Sequence, residues 1–255
     1  MEITQYLTNC VKNNTPVSFS KYGDGEFICA SGGHGNNCDH DNYTPKKRQA
    51  IIDSFKYMVD EAKNTHIGLW HDEKTKSFWE SLVSKPICWC QYHTIIFDTN
   101  TDKEKVELYK AIKHSNLNKL IVCNELLVKS KNLLNIDHVI HVPFDNWFDT
   151  QFEAYVDSIS TIIQNDGRQP LIITCCGMSA KVLICELYKK FPNGIFLDFG
   201  SALDYICTKR DSRGFSYTYD YLINLFRDIL PDDWDSEIYN NIYEIARTKL
   251  GRHLQ

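Results

Sequence analysis

The chain lacks the long apolar runs and basic tracts that mark two large classes of protein. None of its 255 residues lies in an apolar stretch near the roughly 20 residues that cross a bilayer. The first residues also lack the apolar core of a signal peptide. No Lys/Arg run exceeds the three residues 46–48, and the formal net charge is −5. We therefore expect a cytoplasmic protein that neither spans a membrane nor binds nucleic acid.

The ten cysteines come without zinc-finger spacing and without the small size of a disulfide-stabilised domain. Most lie in apolar surroundings, as Cys175 and Cys176 do, and we interpret them as buried thiols. His34, Cys38 and His40 crowd one glycine-rich loop, but no second Cys/His pair follows at finger spacing. We interpret this loop either as a segment that orders over a bound donor sugar or as a plain surface loop.

Short apolar runs alternate with amphipathic stretches, a pattern that predicts βα units on a mainly parallel sheet. The predicted strands are 17–20, 66–70, 87–90, 120–123, 138–142, 171–175 and 195–198. The predicted helices are 2–12, 45–63, 74–83, 102–114, 152–165, 178–191, 219–229 and 235–250. The segment 143–149 is rich in aromatic residues and is interpreted as an ordered loop or short turn. The fold class is α/β: a single Rossmann-like domain over 1–255, with helices on both faces and a helical C-terminal extension over about 215–255.

One segment combines two acids with two glycines directly after the first predicted strand. Residues 21–26 are Lys-Tyr-Gly-Asp-Gly-Glu, and open α/β sheets bind ligands beyond the carboxyl ends of their strands. Gly23 and Gly25 permit a close approach to a ligand. Asp24 and Glu26 offer hard oxygen ligands to a divalent cation bound to a diphosphate. The alternative from the residues alone is a tight turn, with Asp24 capping a helix that begins near Gly25.

Residues 20–27 resemble the Arg-Tyr/Phe-Gly-Asp-Gly-Glu signature of the GT-D-type glycosyltransferases, a family first catalogued as a domain of unknown function. The resemblance continues through blocks at 35–39, 122–125, 142–147, 176–180 and 197–204. It implies that Asp24 and Glu26 form the family's Asp-x-Glu element, which binds Mn²⁺ or Mg²⁺ and the diphosphate of a nucleotide sugar. Lys21 replaces the usual arginine and loses its bidentate fork, and Ser201 stands where the family often has histidine.

The motif, the strand ends and the resemblance together define the candidate site. The catalytic candidates are Asp24, Glu26, Asp198 and Asp204, and the first two are also the metal candidates. The nucleotide-sugar-binding candidates are Lys21, Tyr22, Gly23, Gly25, Asn124, Glu125, Asn146, Trp147, Gly177, Met178 and Ser179. Asp198 or Asp204 would take the proton of the acceptor hydroxyl. Alternative roles are a helix cap for Ser179, a core position for Trp147 and a solvent-facing position for Asp204.

The predicted activity is metal-assisted transfer of a sugar from a nucleoside-diphosphate sugar, with a UDP-sugar favoured. The predicted acceptor is a hydroxyl of a glycan or glycoprotein, and a homodimer is left open. Two alternatives remain: a metal-dependent nucleotidyltransferase or phosphohydrolase that uses the same acids, and a non-catalytic sugar-nucleotide-binding protein. A serine hydrolase is disfavoured because Lys181 stands where the motif Gly-x-Ser-x-Gly needs its second glycine.

Overall fold

Seven parallel strands form the sheet in the described part of the chain. The computed structural model describes residues 2–37, 41–69, 73–91, 95, 98–144, 146–211, 214, 217–236 and 239–249. The strands are β1 (Val17–Tyr22), β2 (Thr65–Leu69), β3 (Trp89–Gln91), β4 (Asn118–Cys123), β5 (His138–His141), β6 (Pro170–Cys175) and β7 (Ile195–Asp198). Their order is β3-β2-β1-β7-β6-β4-β5, and each pairing is parallel. The predicted α/β fold with a mainly parallel sheet is confirmed.

Four inner strands, β1, β7, β6 and β4, are buried along their whole length. Their side chains are mostly apolar on both faces, as a parallel sheet requires when helices cover each side. The strands β3 and β5 lie at the two edges and are partly exposed. The residues that end the inner strands therefore lie at the edge of the most deeply buried part of the sheet.

Helices cover both faces of this sheet. They are α1 (Ile3–Lys12), α2 (Asp24–Ala30), α3 (Pro45–Asp60), α4 (Glu73–Glu80), α5 (Asp102–His114), α6 (Ser130–Leu134), α7 (Trp147–Asp166), α8 (Ser179–Lys190), α9 (Asp204–Thr208), α10 (Tyr219–Phe226) and α11 (Asn240–Lys249). On one face α1 packs against α5, and Leu7 and Leu108 belong to one core cluster. On the other face α3, α7 and α8 pack together through a second cluster, which contains Phe55, Ile159 and Leu183. The predicted placement of helices on both faces is confirmed.

The aromatic segment 143–149 is not wholly the ordered loop or turn that the sequence suggested, because α7 begins within it at Trp147. Asn146 has a φ of 55°, a left-handed conformation that asparagine tolerates better than most residues. Trp147 and Phe148 turn into the core and contact Phe152. The helix therefore begins at Trp147 and not at the predicted residue 152, because the rings of Trp147 and Phe148 are buried in the core.

The C-terminal helices pack against the segment that follows β4. The Lys129 ammonium lies over the rings of Trp234, Tyr239 and Tyr243, at 3.9, 4.8 and 5.1 Å from their centroids. It also donates a hydrogen bond of 2.6 Å to the Tyr243 hydroxyl. Cation–π attraction strengthens when the cation is withdrawn from water, as it is here. Lys129 thus joins the C-terminal helices to the body of the fold. Within the described residues, no helix is both long enough and apolar enough to cross a membrane.

The nine described cysteines are all free thiols. Seven of them are buried, Cys90 is half-buried and Cys88 is exposed. The interpretation of most cysteines as buried thiols is confirmed for the described residues, and Cys38 lies outside them.

Candidate functional site

The carboxyl ends of three neighbouring strands bring the motif residues together. The strand β7 lies between β1 and β6, so the segments after Tyr22, Cys175 and Asp198 leave the sheet side by side. The motif follows β1, the turn at Gly177 follows β6, and Asp198 is the last residue of β7. These three segments therefore share one edge of the sheet.

This edge includes a topological switch point between β6 and β4. The chain passes from β6 to β7 through α8, which joins the core on one face of the sheet. It passes from β4 to β5 in the opposite direction through α6, which joins the core on the other face. Open α/β proteins bind their ligands in the crevice beyond such a point. Asn124 and Gly177 follow the two strands that flank it.

The acidic motif forms the start of a helix. The strand β1 extends beyond the predicted residue 20 to Tyr22, Gly23 is the N-cap residue of α2, and Asp24 is its first helical residue. The Gly23 amide donates a hydrogen bond of 2.9 Å to Oε2 of Glu26. Capping thus falls to Glu26 and not to Asp24, which is exposed where the helix dipole favours a negative charge. A helix does begin in this segment, as the alternative interpretation expected, but it begins at Asp24, and Asp24 does not cap it.

Four charged side chains, two of them from the motif, form a buried cluster. Glu26 Oε1 is 2.6 Å from Nζ of Lys181, and the same Nζ is 3.1 Å from Oδ2 of Asp198. The Lys21 ammonium lies 3.9 Å from Oδ1 of Asp198, and the Lys21 amide donates a 3.0 Å hydrogen bond to Oδ2. All four residues are at most 7% exposed. Two ammonium groups therefore balance two carboxylates in a place that water scarcely reaches.

The two lysines of this cluster differ in their electrostatics. Burial lowers the pKa of Lys21 below its ordinary value, and the attraction of Asp198 offsets only part of that effect. Burial also acts to lower the pKa of Lys181, but Asp198 and Glu26 outweigh it and raise this pKa above its ordinary value. Lys181 is consequently the firmly charged member of the pair and links Glu26 to Asp198.

The loop before α3 closes one side of the site. Asp41 Oδ1 lies 2.8 Å from the Lys47 ammonium and accepts a 2.9 Å hydrogen bond from the Asn146 amide. A Cβ added at Gly177 would lie 3.8 Å from Oδ2 of Asp41, and one at Gly25 would lie 3.6 Å from Sδ of Met178. The loop, the start of α2 and the turn before α8 therefore lie against one another.

Several predicted ligand contacts have other placements. Tyr22 is fully buried between Phe55 and Trp79, and Trp147 is 2% exposed in the core, which is the alternative considered for it. Asn124 accepts a 2.9 Å hydrogen bond from the Leu126 amide. Glu125 is exposed beyond the end of β4.

Two further candidates lie at helix starts. Asp204 is half-buried at the first position of α9. Ser179 is the first residue of α8 and not its N-cap, a position that Met178 holds. The Ser179 hydroxyl is buried and has no hydrogen-bond partner in the described part of the chain.

Asp24 and Glu26, the predicted metal-binding pair, lie in different environments, one exposed and one buried. Both carboxylate oxygens of Glu26 are engaged, one by the Gly23 amide and one by Lys181. Among the described residues, no group of three His, Cys, Asp or Glu side chains could hold a metal ion. Cys38 and His40 of the glycine-rich loop lie outside the described residues. Asp24 is the member of the acidic pair that faces solvent.

Sequence reasoning missed Lys181 and Lys47 as parts of the candidate site. A signal existed for both lysines, because each lies on the apolar side of its helix. Lys47 precedes the buried Ile51 by one helical turn, and Lys181 lies among apolar residues of α8. A lysine at such a position needs a buried anion. The sequence alone does not reveal which acid supplies it.

The fold is that of known glycosyltransferase structures. A structure described as "a new glycosyltransferase (DUF1792) from Streptococcus sanguinis" is 17% identical, with 93% of this chain and 96% of that chain covered at a TM-score of 0.59. One described as "the highly conserved domain of unknown function 1792 has a distinct glycosyltransferase fold" is 15% identical, with 89% and 88% covered at 0.51. No protein-family model matches the chain, and no curated protein is significantly similar to it. The resemblance to the GT-D-type family is confirmed at the level of the fold.

Proposed function

We propose that this protein is a glycosyltransferase that moves a sugar from a nucleoside-diphosphate sugar, with UDP as the favoured nucleotide, to a hydroxyl of a glycan or glycoprotein. The observation that carries the proposal is the position of segment 21–26. It resembles a glycosyltransferase signature, and it leaves the sheet beside the start of α8 in a fold shared with structures described as glycosyltransferases.

The donor diphosphate would lie between the starts of α2 and α8. The first amides of a helix carry a partial positive charge that favours phosphate binding. The helix α8 has 12 residues, which is long enough to develop this charge at its N-terminus. The buried Ser179 hydroxyl stands at that end without a partner among the described residues. Gly177 has a φ of 69°, a conformation that favours glycine, and the turn that contains it lies beside Asp41. These features support a phosphate or ribose subsite there.

The roles of the four acidic candidates divide by exposure. Asp24 is exposed and would face the donor, whereas Glu26 and Asp198 are buried against lysines and would hold the site in shape. Asp204 is half-buried and is the better candidate for the base that takes the acceptor proton. A divalent cation remains a prediction, and Asp24 is the carboxylate that it would reach.

The test is an incubation of the full chain with a panel of UDP-, GDP- and dTDP-sugars, with and without Mn²⁺ and with glycan acceptors. Chromatography identifies the released nucleotide, and mass spectrometry measures the masses of the glycans. We expect a nucleoside diphosphate together with an acceptor heavier by one sugar. Release of nucleoside monophosphate or inorganic phosphate would instead favour the nucleotidyltransferase or phosphohydrolase alternative. Binding without turnover for every acceptor would favour the non-catalytic alternative.

A further inference from the structure

The Glu26 carboxylate faces inward. Its Oε2 atom accepts a hydrogen bond from the Gly23 amide, and its Oε1 atom contacts the Lys181 ammonium at 2.6 Å. The side chain is 7% exposed, whereas Asp24, two residues earlier, is exposed. The two acids of the motif therefore lie in different environments, although their spacing in the sequence suggests a shared role.

We propose that the Lys181 ammonium is the resident cation of this site, and that Glu26 positions the motif and is not a metal ligand. Lys181 reaches both Glu26 and Asp198, with its Nζ 2.6 and 3.1 Å from their carboxylate oxygens. It thus occupies the place between two carboxylates where a divalent cation would otherwise bind. This inference rests on the proposed function only because it takes segment 21–26 to be part of the donor site.

The geometry disfavours a metal ion in the same place. Mg²⁺ requires oxygen ligands at about 2.0–2.1 Å in near-octahedral array, and it would have to displace the ammonium. The displaced Lys181 would then lie 5% exposed without the anions that compensate its charge. A bidentate metal contact would also engage Oε2 of Glu26, the atom that accepts the hydrogen bond from the Gly23 amide and caps α2. Glu26 instead fixes the start of α2 and leaves Asp24 at the surface.

The experiment measures Mn²⁺ affinity by electron paramagnetic resonance of free Mn²⁺, without donor or acceptor. Glu26→Gln keeps the size of the side chain, and we expect it to leave the Mn²⁺ affinity of the parent unchanged within twofold. Lys181→Met leaves Glu26 and Asp198 without their cation, so we expect at least a tenfold gain in Mn²⁺ affinity. Adding Glu26→Gln to Lys181→Met should remove that gain, and Lys181→Arg, which keeps the charge, should show none.

A tenfold or greater loss of Mn²⁺ affinity in Glu26→Gln would overturn the proposal, as would a folded Lys181→Met variant with no gain. If Lys181→Met does not fold, the comparison of Glu26→Gln with the parent decides alone. Because the assay contains no sugar nucleotide, its outcome is independent of the donor-release test of the proposed function.

Discussion

Asp41 and Lys47 form an ion pair shielded from solvent, with 2.8 Å between Oδ1 and Nζ and side-chain exposures of 4% and 0%. The same Asp41 oxygen accepts a hydrogen bond from the Asn146 amide, just before α7 begins. The Asp41 carboxylate therefore joins the loop before α3 to α3 itself and to the start of α7.

Replacing Lys47 by methionine should lower the free energy of unfolding by about 3–5 kcal/mol, because the Asp41 carboxylate would stay buried without its cation. Urea denaturation followed by circular dichroism measures the loss. Lys46→Met is the matched control, since Lys46 is exposed at the neighbouring position and should cost less than about 1 kcal/mol. Equal losses in the two variants would contradict the role assigned to the pair.

Gly200→Ala should destabilise the fold more than Gly167→Ala. Both glycines have positive φ, 50° and 77°, so both variants carry the backbone cost of about 1–2 kcal/mol for a left-handed residue. A Cβ at Gly200 would also clash with the Lys21 ammonium, whereas one at Gly167 has nothing within 4 Å. Moving Lys21 away from Asp198 should add about 1–3 kcal/mol. Denaturant titration checks this, and a difference near zero would show that Lys21 relocates freely.

Asp24→Asn should reduce kcat/KM for the donor by about 100-fold or more, because the exposed carboxylate of the motif would no longer act on the diphosphate or its cation. Asp220→Asn is a matched control: Asp220 is also an exposed acid in the first turn of a helix, but α10 lies outside the candidate site. Both variants should lose similar small amounts of stability through the helix dipole. Retention of full activity by Asp24→Asn would remove Asp24 from the site.

Ser179→Ala should weaken UDP binding about tenfold, since a hydrogen bond to a charged phosphate would be lost. Stability should not fall, because the hydroxyl is buried without a partner in the described residues. Ser18→Ala removes a hydroxyl in the same condition from near the opposite end of β1. Isothermal titration calorimetry should show no effect of Ser18→Ala, and a like effect of both changes would exclude a specific contact from Ser179.

Lys129 should make the stability depend on pH. Burial lowers the pKa of Lys129 to about 8, below the ordinary 10.5. Between these values the unfolded chain holds a proton that the folded chain has lost, so the contribution of Lys129 to the unfolding free energy rises with pH. Below about pH 8 the contribution is constant. The difference in unfolding free energy between the parent and Lys129→Met should therefore shift in favour of the parent from pH 8 to pH 10.

Urea denaturation at several pH values measures this difference for Lys129→Met. The exposed neighbour Lys131, changed to methionine in parallel, reports the pH effects common to the whole chain. A flat difference for Lys129→Met over this range would mean that the ammonium keeps its proton among the rings.

The sequence was sufficient to predict the strands. Apolar runs bounded by turns identified all seven described strands, and the rule for open α/β sheets assigns the candidate site to their carboxyl ends. The partners of the motif could not be predicted in this way. Glu26 meets Lys181 only because β1 and β6 flank β7, and strand order is not encoded in local periodicity. Tyr22 is buried because β1 extends two residues beyond its predicted end. Local sequence patterns predict the ends of strands poorly.

The pairing of β1 with β7 also dictates when the site can form. Lys21 and Asp198 are 177 positions apart, so a chain emerging from the ribosome completes β1 long before its second neighbour exists. Until then one edge of β1 offers unpaired amides and carbonyls, and Lys21 must remain hydrated. Contacts of such sequence separation slow folding and expose intermediates to aggregation. The candidate site should accordingly be among the last parts of the molecule to assemble.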